Sequence, residues 1–85
     1  MAKILLVEDN PADARLFEAL IRGAGRMAID WVSTVAAAEE ALNRQIYNTC
    51  VLDLHLPDGE GVALVERILQ WDEAPPIVVL SGLSE

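Results

Sequence analysis

The sequence predicts an α/β fold built on a parallel sheet, and three observations support this prediction. Short apolar runs occupy residues 4–7, 50–52 and 77–80, while a partly polar run at residues 29–32 suits the edge of a sheet. Apolar residues between these runs recur at helical spacing, and residues that favour turns and helix caps mark the junctions. Strands and helices that alternate in this order are joined by right-handed crossovers, so the strands lie parallel.

The stretch between the first two strands predicts a helix that begins at Pro11. Asparagine followed by proline is typical of an N-cap and the first helical position, and Asn10 precedes Pro11 here. Gly23 or Gly25 can end this helix, because glycine tolerates the backbone conformation that closes many helices. The apolar residues that recur at helical spacing are Leu16, Phe17, Leu20 and Ile21.

The other two helices follow the same pattern. Ser33 or Thr34 can cap the second helix, and the third helix ends before Pro75 and Pro76. A turn is predicted at Pro57, Asp58 and Gly59, and Trp31 and Trp71 are interpreted as packing residues at the margins of the fold. The apolar stripes are Val35, Ala38, Ala41 and Leu42 in the second helix, and Leu64, Val65, Ile68 and Leu69 in the third.

Length and composition restrict the classes of protein that fit. The 85 residues are expected to form a single domain over residues 1–85. The net charge of −8 repels a phosphate backbone, so nucleic-acid binding is not expected. Cys50 is the only cysteine, lies in an apolar run and is expected to be buried. No apolar run is long enough to cross a bilayer and no secretory leader is recognised, so a cytoplasmic protein is expected.

Acidic side chains and a hydroxyl collect at one end of the predicted sheet. Glu8 and Asp9 follow the first strand, Asp53 ends the third, and Ser81 follows the fourth. Ligands of open parallel sheets bind beyond the carboxyl ends of the strands, so these residues mark the expected site. A hard divalent cation with oxygen ligands, such as Mg²⁺, would relieve the repulsion among the carboxylates. Asp53 can then act as a nucleophile that forms an acyl phosphate, with the backbone carbonyl of His55 as a further metal ligand.

Three segments of the chain resemble the signature sequences of bacterial response-regulator receiver domains, the phosphoacceptor modules of two-component signalling. They are residues 4–10, 51–59 and 78–82, and the similarity extends over essentially the whole chain. The resemblance implies a flavodoxin-like, doubly wound sheet with the strand order 2-1-3-4 in the part present here.

The same resemblance implies a role for each residue of the predicted site. Asp53 matches the phosphoacceptor, and Glu8 and Asp9 match the acidic pair that binds Mg²⁺ directly or through water. The carbonyl of His55 matches the backbone metal ligand, and Ser81 matches the switch hydroxyl that turns toward the phosphoryl group. The expected donor of that group is a histidine kinase or a phosphotransfer protein.

The sequence departs from the family pattern after the fourth strand. Receiver domains continue through a fourth helix, a fifth strand and a fifth helix, and their active-site lysine ends the fifth strand. Lys3 is the only lysine of this chain and lies at the opposite end of the predicted sheet, so phosphorylation is expected to be less favourable. The apolar strand at residues 77–80 is expected to form an exposed edge, which predicts a two-fold homodimer.

The same residues leave alternative interpretations open. A degenerate receiver acting as a scaffold or dimerisation module fits the missing lysine but not the complete acidic triad. An aspartyl phosphatase would carry a second acid two residues after its nucleophile, where this chain has His55. A flavin mononucleotide site would need Ser, Thr and Gly where Glu8, Asp9 and Asn10 stand. Glu8 and Asp9 also suit a helix N-terminus, and Ser81 suits a turn. The leading prediction is a phosphoacceptor that signals through protein contacts and is not an enzyme.

Overall fold

Helices alternate with the strands of a parallel sheet, in the order that the sequence predicts. The computed structural model describes residues 2–53, 55–56 and 59–80. Its helices are α1 (Pro11–Gly23), α2 (Val35–Arg44) and α3 (Gly61–Leu69). Its strands are β1 (Ala2–Val7), β2 (Met27–Val32), β3 (Thr49–Asp53), β4 (His55–Leu56), β5 (Gly59–Glu60) and β6 (Ile77–Leu80). The four longer strands form one parallel sheet of order β2-β1-β3-β6, so the predicted fold class and strand order are confirmed.

Helices cover both faces of this sheet, and the central strands are therefore apolar at successive positions. Side chains of β1 and β3 alternate between the two faces. On one face Leu5, Val7, Cys50 and Leu52 pack against α2 and α3, and on the other Leu6 and Val51 pack against α1. Burial raises the pKa of the Cys50 thiol to about 11, which agrees with a packing role for this cysteine.

Side-chain caps fix the first turns of α1 and α2. Oδ1 of Asn10 accepts hydrogen bonds from the backbone N–H groups of Ala12 at 2.9 Å and Asp13 at 3.3 Å. Thr34 is the N-cap of α2, and its Oγ1 accepts a hydrogen bond from the N–H of Ala37 at 3.1 Å. Because α1 begins at residue 11 and β1 ends at residue 7, the acidic pair of the sequence lies in a short loop that is anchored at both ends.

The buried stripes of α1 and α3 are narrower than the apolar spacing suggests. In α1 Phe17 is buried, whereas Leu16 and Leu20 are exposed. In α3 Leu64 is fully buried, but Leu69, predicted as part of the same face, is exposed in the last turn. Each helix contacts the sheet along one side only, so apolar residues at the margin of the stripe stay in contact with solvent.

A small antiparallel sheet follows β3. Its strands β4 and β5 pair with Leu56 opposite Gly59. Of the residues predicted to form a turn, Gly59 is the first residue of β5, and Pro57 and Asp58 lie outside the described residues, so the turn stays a prediction. This pairing directs the chain from the end of β3 into the start of α3.

A polar cluster stabilises the end of the sheet at which β1 begins. The hydroxyl of Tyr47 donates a hydrogen bond to Oδ2 of Asp30 at 2.7 Å, and Nζ of Lys3 lies 3.9 Å from the same oxygen. Burial, together with the hydrogen bond to the Asp30 carboxylate, raises the pKa of Tyr47 to about 12. Lys3 stands five residues before Glu8 along the chain, a separation of roughly 16 Å in an extended strand. It is therefore placed away from the carboxyl ends of the strands, as the sequence predicts.

Candidate functional site

The carboxyl ends of β1 and β3 bring three acidic residues together. These strands are parallel neighbours, and the last residues that pair between them are Val7 and Leu52. Glu8 follows Val7 and Asp53 follows Leu52, so their side chains leave adjacent strand ends. One carboxylate oxygen from each of Glu8, Asp9 and Asp53 lies within 4.8 Å of the other two. The structure thus groups the three carboxylates that the sequence singled out.

Two of these three carboxylates are withdrawn from solvent. Glu8 is 2% exposed and Asp53 is 5% exposed, whereas Asp9 is exposed. The pKa of Glu8 is raised to about 7, chiefly by burial and also by the neighbouring Asp53 and Asp9 carboxylates, against the opposing hydrogen bond from the N–H of Asn10. The cluster therefore holds more negative charge than its surroundings stabilise, and a proton or a cation relieves it.

Both backbone polar groups of Glu8, its N–H and its carbonyl, form hydrogen bonds to β2. Its N–H donates a hydrogen bond to the carbonyl of Val32 at 3.0 Å. Its carbonyl accepts one from Nε1 of Trp31 at 2.7 Å. The Glu8 side chain is held as well, because Oε1 accepts a hydrogen bond from the N–H of Asn10 at 3.1 Å. The position of the buried carboxylate is thus set by the edge strand and by the residue that caps α1.

Two residues of the predicted site are not tested by this geometry. His55 is the first residue of β4, two residues after Asp53, and the ligand role of its carbonyl stays a prediction. Ser81 lies outside the described residues. The residue before it, Leu80, pairs with Asp53 across β6 and β3, so the sheet register brings the end of β6 level with the end of β3.

Two residues near this end of the fold were missed by the sequence analysis. Trp31, interpreted there as a packing residue, is 43% exposed and donates the hydrogen bond to Glu8. Asp13, in the first turn of α1, has a shielded Oδ2 without a hydrogen-bond partner among the residues that the structure describes. No spacing in the sequence indicates either feature, because both depend on how β2 and α1 lie against the end of β1.

A groove of about 510 Å³ lies elsewhere, between β2 and α2. Its lining includes Asp30, Glu40, Arg44 and Tyr47, and none of the three clustered carboxylates borders it. The acidic cluster therefore lies outside this groove, at the carboxyl ends of β1 and β3.

Comparison with known proteins identifies the family. Residues 4–85 match the family of response regulator receiver domains. The chain belongs to this family. The receiver fold explains why the acidic residues follow β1 and β3, at the end of the sheet where its ligands bind.

The relatives that the chain matches are longer than the chain itself. It is 34% identical over 85 residues to the KDP operon transcriptional regulatory protein KdpE of Escherichia coli K12, covering 100% of this chain and 37% of KdpE. A CheY-like receiver domain from Methylobacillus flagellatus superposes with a TM-score of 0.87 at 30% identity, covering 99% of this chain and 72% of that one. The Mn²⁺-bound form of the response regulator Rcp1 superposes with a TM-score of 0.87 at 30% identity, covering 95% and 66%. The chain thus spans about a third of KdpE and about 70% of the solved receivers.

The raised pKa of Glu8 predicts that the metal-free protein loses stability as the pH rises. Between pH 4.5, the ordinary pKa of glutamate, and about pH 7, the folded chain holds more protons at Glu8 than the unfolded chain. The stabilisation that this proton gives to the folded chain is fully present below pH 4.5 and lost by about pH 7. Over that range the free energy of unfolding should fall by up to about 1.4 kcal/mol per pH unit, which urea denaturation in the presence of EDTA can measure.

The Glu8→Gln protein isolates this effect, because glutamine keeps the shape of the side chain and does not titrate. We expect its free energy of unfolding to lack the component that declines from pH 4.5 to about pH 7. Glu73→Gln, at an exposed position, controls for the loss of one negative charge. A Glu8→Gln protein with the same pH dependence as the parent chain would show that the buried proton is not on Glu8.

Proposed function

We propose that this chain is a phosphoacceptor of a two-component phosphorelay, in which Asp53 receives a phosphoryl group beside a bound Mg²⁺ ion. The observation that carries the proposal is the cluster of Glu8, Asp9 and Asp53, whose carboxylate oxygens lie within 4.8 Å of one another in a chain of the receiver family. Asp53 is the member that ends a central strand and is nearly buried.

The chemistry of the cluster fits a hard divalent cation. All three side chains offer carboxylate oxygens, the donors that Mg²⁺ and Mn²⁺ prefer. Burial first, and the neighbouring Asp53 and Asp9 carboxylates second, raise the pKa of Glu8, and a cation would offset the resulting cost of its negative charge. Support also comes from Rcp1, whose solved form carries Mn²⁺ on a similar fold. We assign Glu8, Asp9 and Asp53 as side-chain ligands and the carbonyl of His55 as a backbone ligand.

Asp53 acts as the nucleophile in the proposed transfer. Its carboxylate oxygen forms a bond to phosphorus as the bond from phosphorus to the donor's histidine nitrogen breaks, which leaves an acyl phosphate on Asp53 and a neutral imidazole on the donor after proton uptake. When bound, Mg²⁺ neutralises charge on the transferring oxygens. Glu8, whose backbone is held by β2, would supply a carboxylate oxygen to the ion. Ser81 is proposed as the switch hydroxyl.

The proposed donor is a histidine kinase or a phosphotransfer protein, and the chain itself is proposed not to be an enzyme. Lys3 is the only lysine in these 85 residues. It contacts Asp30 at the other end of β1, away from the cluster. No helix in the described part of the chain is long and apolar enough to cross a membrane. We propose a single receiver domain that acts in the cytoplasm.

A second proposal concerns the edge of the sheet at β6. This strand pairs with β3 on one side, and Val78 and Val79 are 48% and 45% exposed. An exposed apolar edge strand favours pairing with another strand. We propose that β6 pairs with its symmetry mate in a two-fold homodimer of this chain. The same edge favours the alternative function, a dimerisation or scaffold module that works without phosphoryl transfer.

Intact-mass measurement with acetyl phosphate tests the phosphoacceptor proposal. Incubation with acetyl phosphate and Mg²⁺ is expected to add one phosphoryl group, and EDTA is expected to prevent the addition. Asp53→Asn should give no adduct, because the amide cannot form an acyl phosphate. Asp72→Asn, which changes an exposed aspartate away from the cluster, should behave like the parent chain. Absence of an adduct from folded parent protein would favour the scaffold alternative.

Light scattering tests the homodimer. The 85-residue protein is expected to be a dimer at micromolar concentration, and Val79→Lys is expected to shift it to monomer by placing a charge on the paired edge. Val62→Lys is the matched control, since Val62 is 48% exposed and belongs to α3 and not to β6. A folded monomeric parent chain would disprove the homodimer.

A further inference from the structure

Trp31 links the edge strand to the acidic loop in a way that the receiver resemblance does not assign. Its indole Nε1 donates a hydrogen bond to the carbonyl of Glu8 at 2.7 Å. Trp31 pairs with Leu6 in the sheet register, and its side chain reaches the carbonyl two residues further along the chain, just after the end of β1. The contact joins a side chain of β2 to the backbone of the first residue in the acidic cluster.

This hydrogen bond acts at the point where the β1–β2 ladder ends. The N–H of Glu8 still bonds to the carbonyl of Val32 at 3.0 Å, as a continuing parallel strand requires. Beyond Val32 the chain turns into α2, whose N-cap is Thr34. The Trp31 indole therefore provides a donor to the Glu8 carbonyl where β2 leaves the sheet, and both backbone groups of Glu8 are held by β2.

Packing alone does not account for this arrangement. Trp31 is 43% exposed, and neither apolar cluster of the core includes it. Glu8 is 2% exposed, and one of its carboxylate oxygens lies within 4.8 Å of oxygens of Asp53 and Asp9, so these groups repel one another when all are ionised. A directional hydrogen bond to the Glu8 backbone restrains the loop against that repulsion. Groups that orient metal ligands through hydrogen bonds typically change metal affinity when they are removed.

We propose that Trp31 is a positioning residue: its indole N–H fixes the Glu8–Asp9 loop and so keeps the carboxylates arranged for a divalent ion. The part that concerns the ion rests on the proposed function. The part that concerns the loop does not, because the hydrogen bond is present without an ion. The fluorescence of Trp31 is also expected to respond to changes at the site, since its indole N–H is hydrogen-bonded to Glu8.

Two variants separate the N–H from the aromatic ring. Trp31→Phe keeps an aromatic side chain and removes the donor, and Trp71→Phe makes the same change at the only other tryptophan. Isothermal titration of the folded proteins with Mg²⁺ is expected to give about tenfold weaker binding for Trp31→Phe. Trp71→Phe is expected to bind Mg²⁺ as tightly as the parent chain. Trp31 is the only tryptophan left in that variant, and its fluorescence should change over the same Mg²⁺ concentrations as the binding measured by titration. Benzothienylalanine at position 31, which has the shape of tryptophan without the N–H, should reproduce the weaker binding.

Hydrogen exchange without metal tests the loop independently. The amides of Glu8 and Asn10, which donate hydrogen bonds in the structure, should exchange several-fold faster in Trp31→Phe than in Trp71→Phe. Equal exchange at these amides in the two variants would overturn the positioning role. A parent chain that binds no Mg²⁺ but shows the exchange difference would disprove the proposed metal site and leave the positioning role intact. Equal Mg²⁺ affinity in the two variants would overturn the part of the proposal that concerns the ion.

Discussion

The parallel pairing of β1 with β3 is the constraint on which the candidate site depends. The register that places Val7 beside Leu52 also places Glu8 beside Asp53, one residue beyond, with Asp9 completing the cluster. Burial of two carboxylates at the ends of adjacent strands is unfavourable by itself, because each ionised group loses hydration near another negative charge. The fold maintains this arrangement through the sheet ladder, the cap of α1 and the indole of Trp31. An unfavourable local charge that is held so firmly indicates a functional site.

Four ion pairs of the described residues involve none of the clustered carboxylates. Lys3, Arg22, Arg44 and Arg67 form them with Asp30, Glu18, Glu40 and Glu39 respectively. These pairs lie on the helix surfaces and at the end of the sheet where β1 begins. In the proposed function a divalent cation offsets the negative charge of Glu8, Asp9 and Asp53, and this connects the electrostatics of the cluster to Mg²⁺ chemistry.

The sequence predicted the fold and the composition of the acidic cluster because both depend on local patterns. Apolar strands, the Asn10 cap and the acids at the strand ends are each visible in a few consecutive residues. The exposure of Leu16 and Leu69 was not predictable, because helical spacing does not specify how wide a contact the sheet makes. The contact between Trp31 and Glu8 was missed for a related reason. It joins residues 23 positions apart, and only the β1–β2 register brings them together.

Anomalous diffraction from crystals grown with Mn²⁺ is the most direct test of the central claim that the strand ends form a metal-dependent phosphoacceptor site. The proposed function predicts one anomalous peak within roughly 2.5 Å of carboxylate oxygens from the Glu8, Asp9 and Asp53 cluster. Crystals of the Asp53→Asn protein should show a weaker peak at that position, because one anionic ligand is lost. Manganese bound only elsewhere on the surface, or no peak at millimolar Mn²⁺, would contradict the claim.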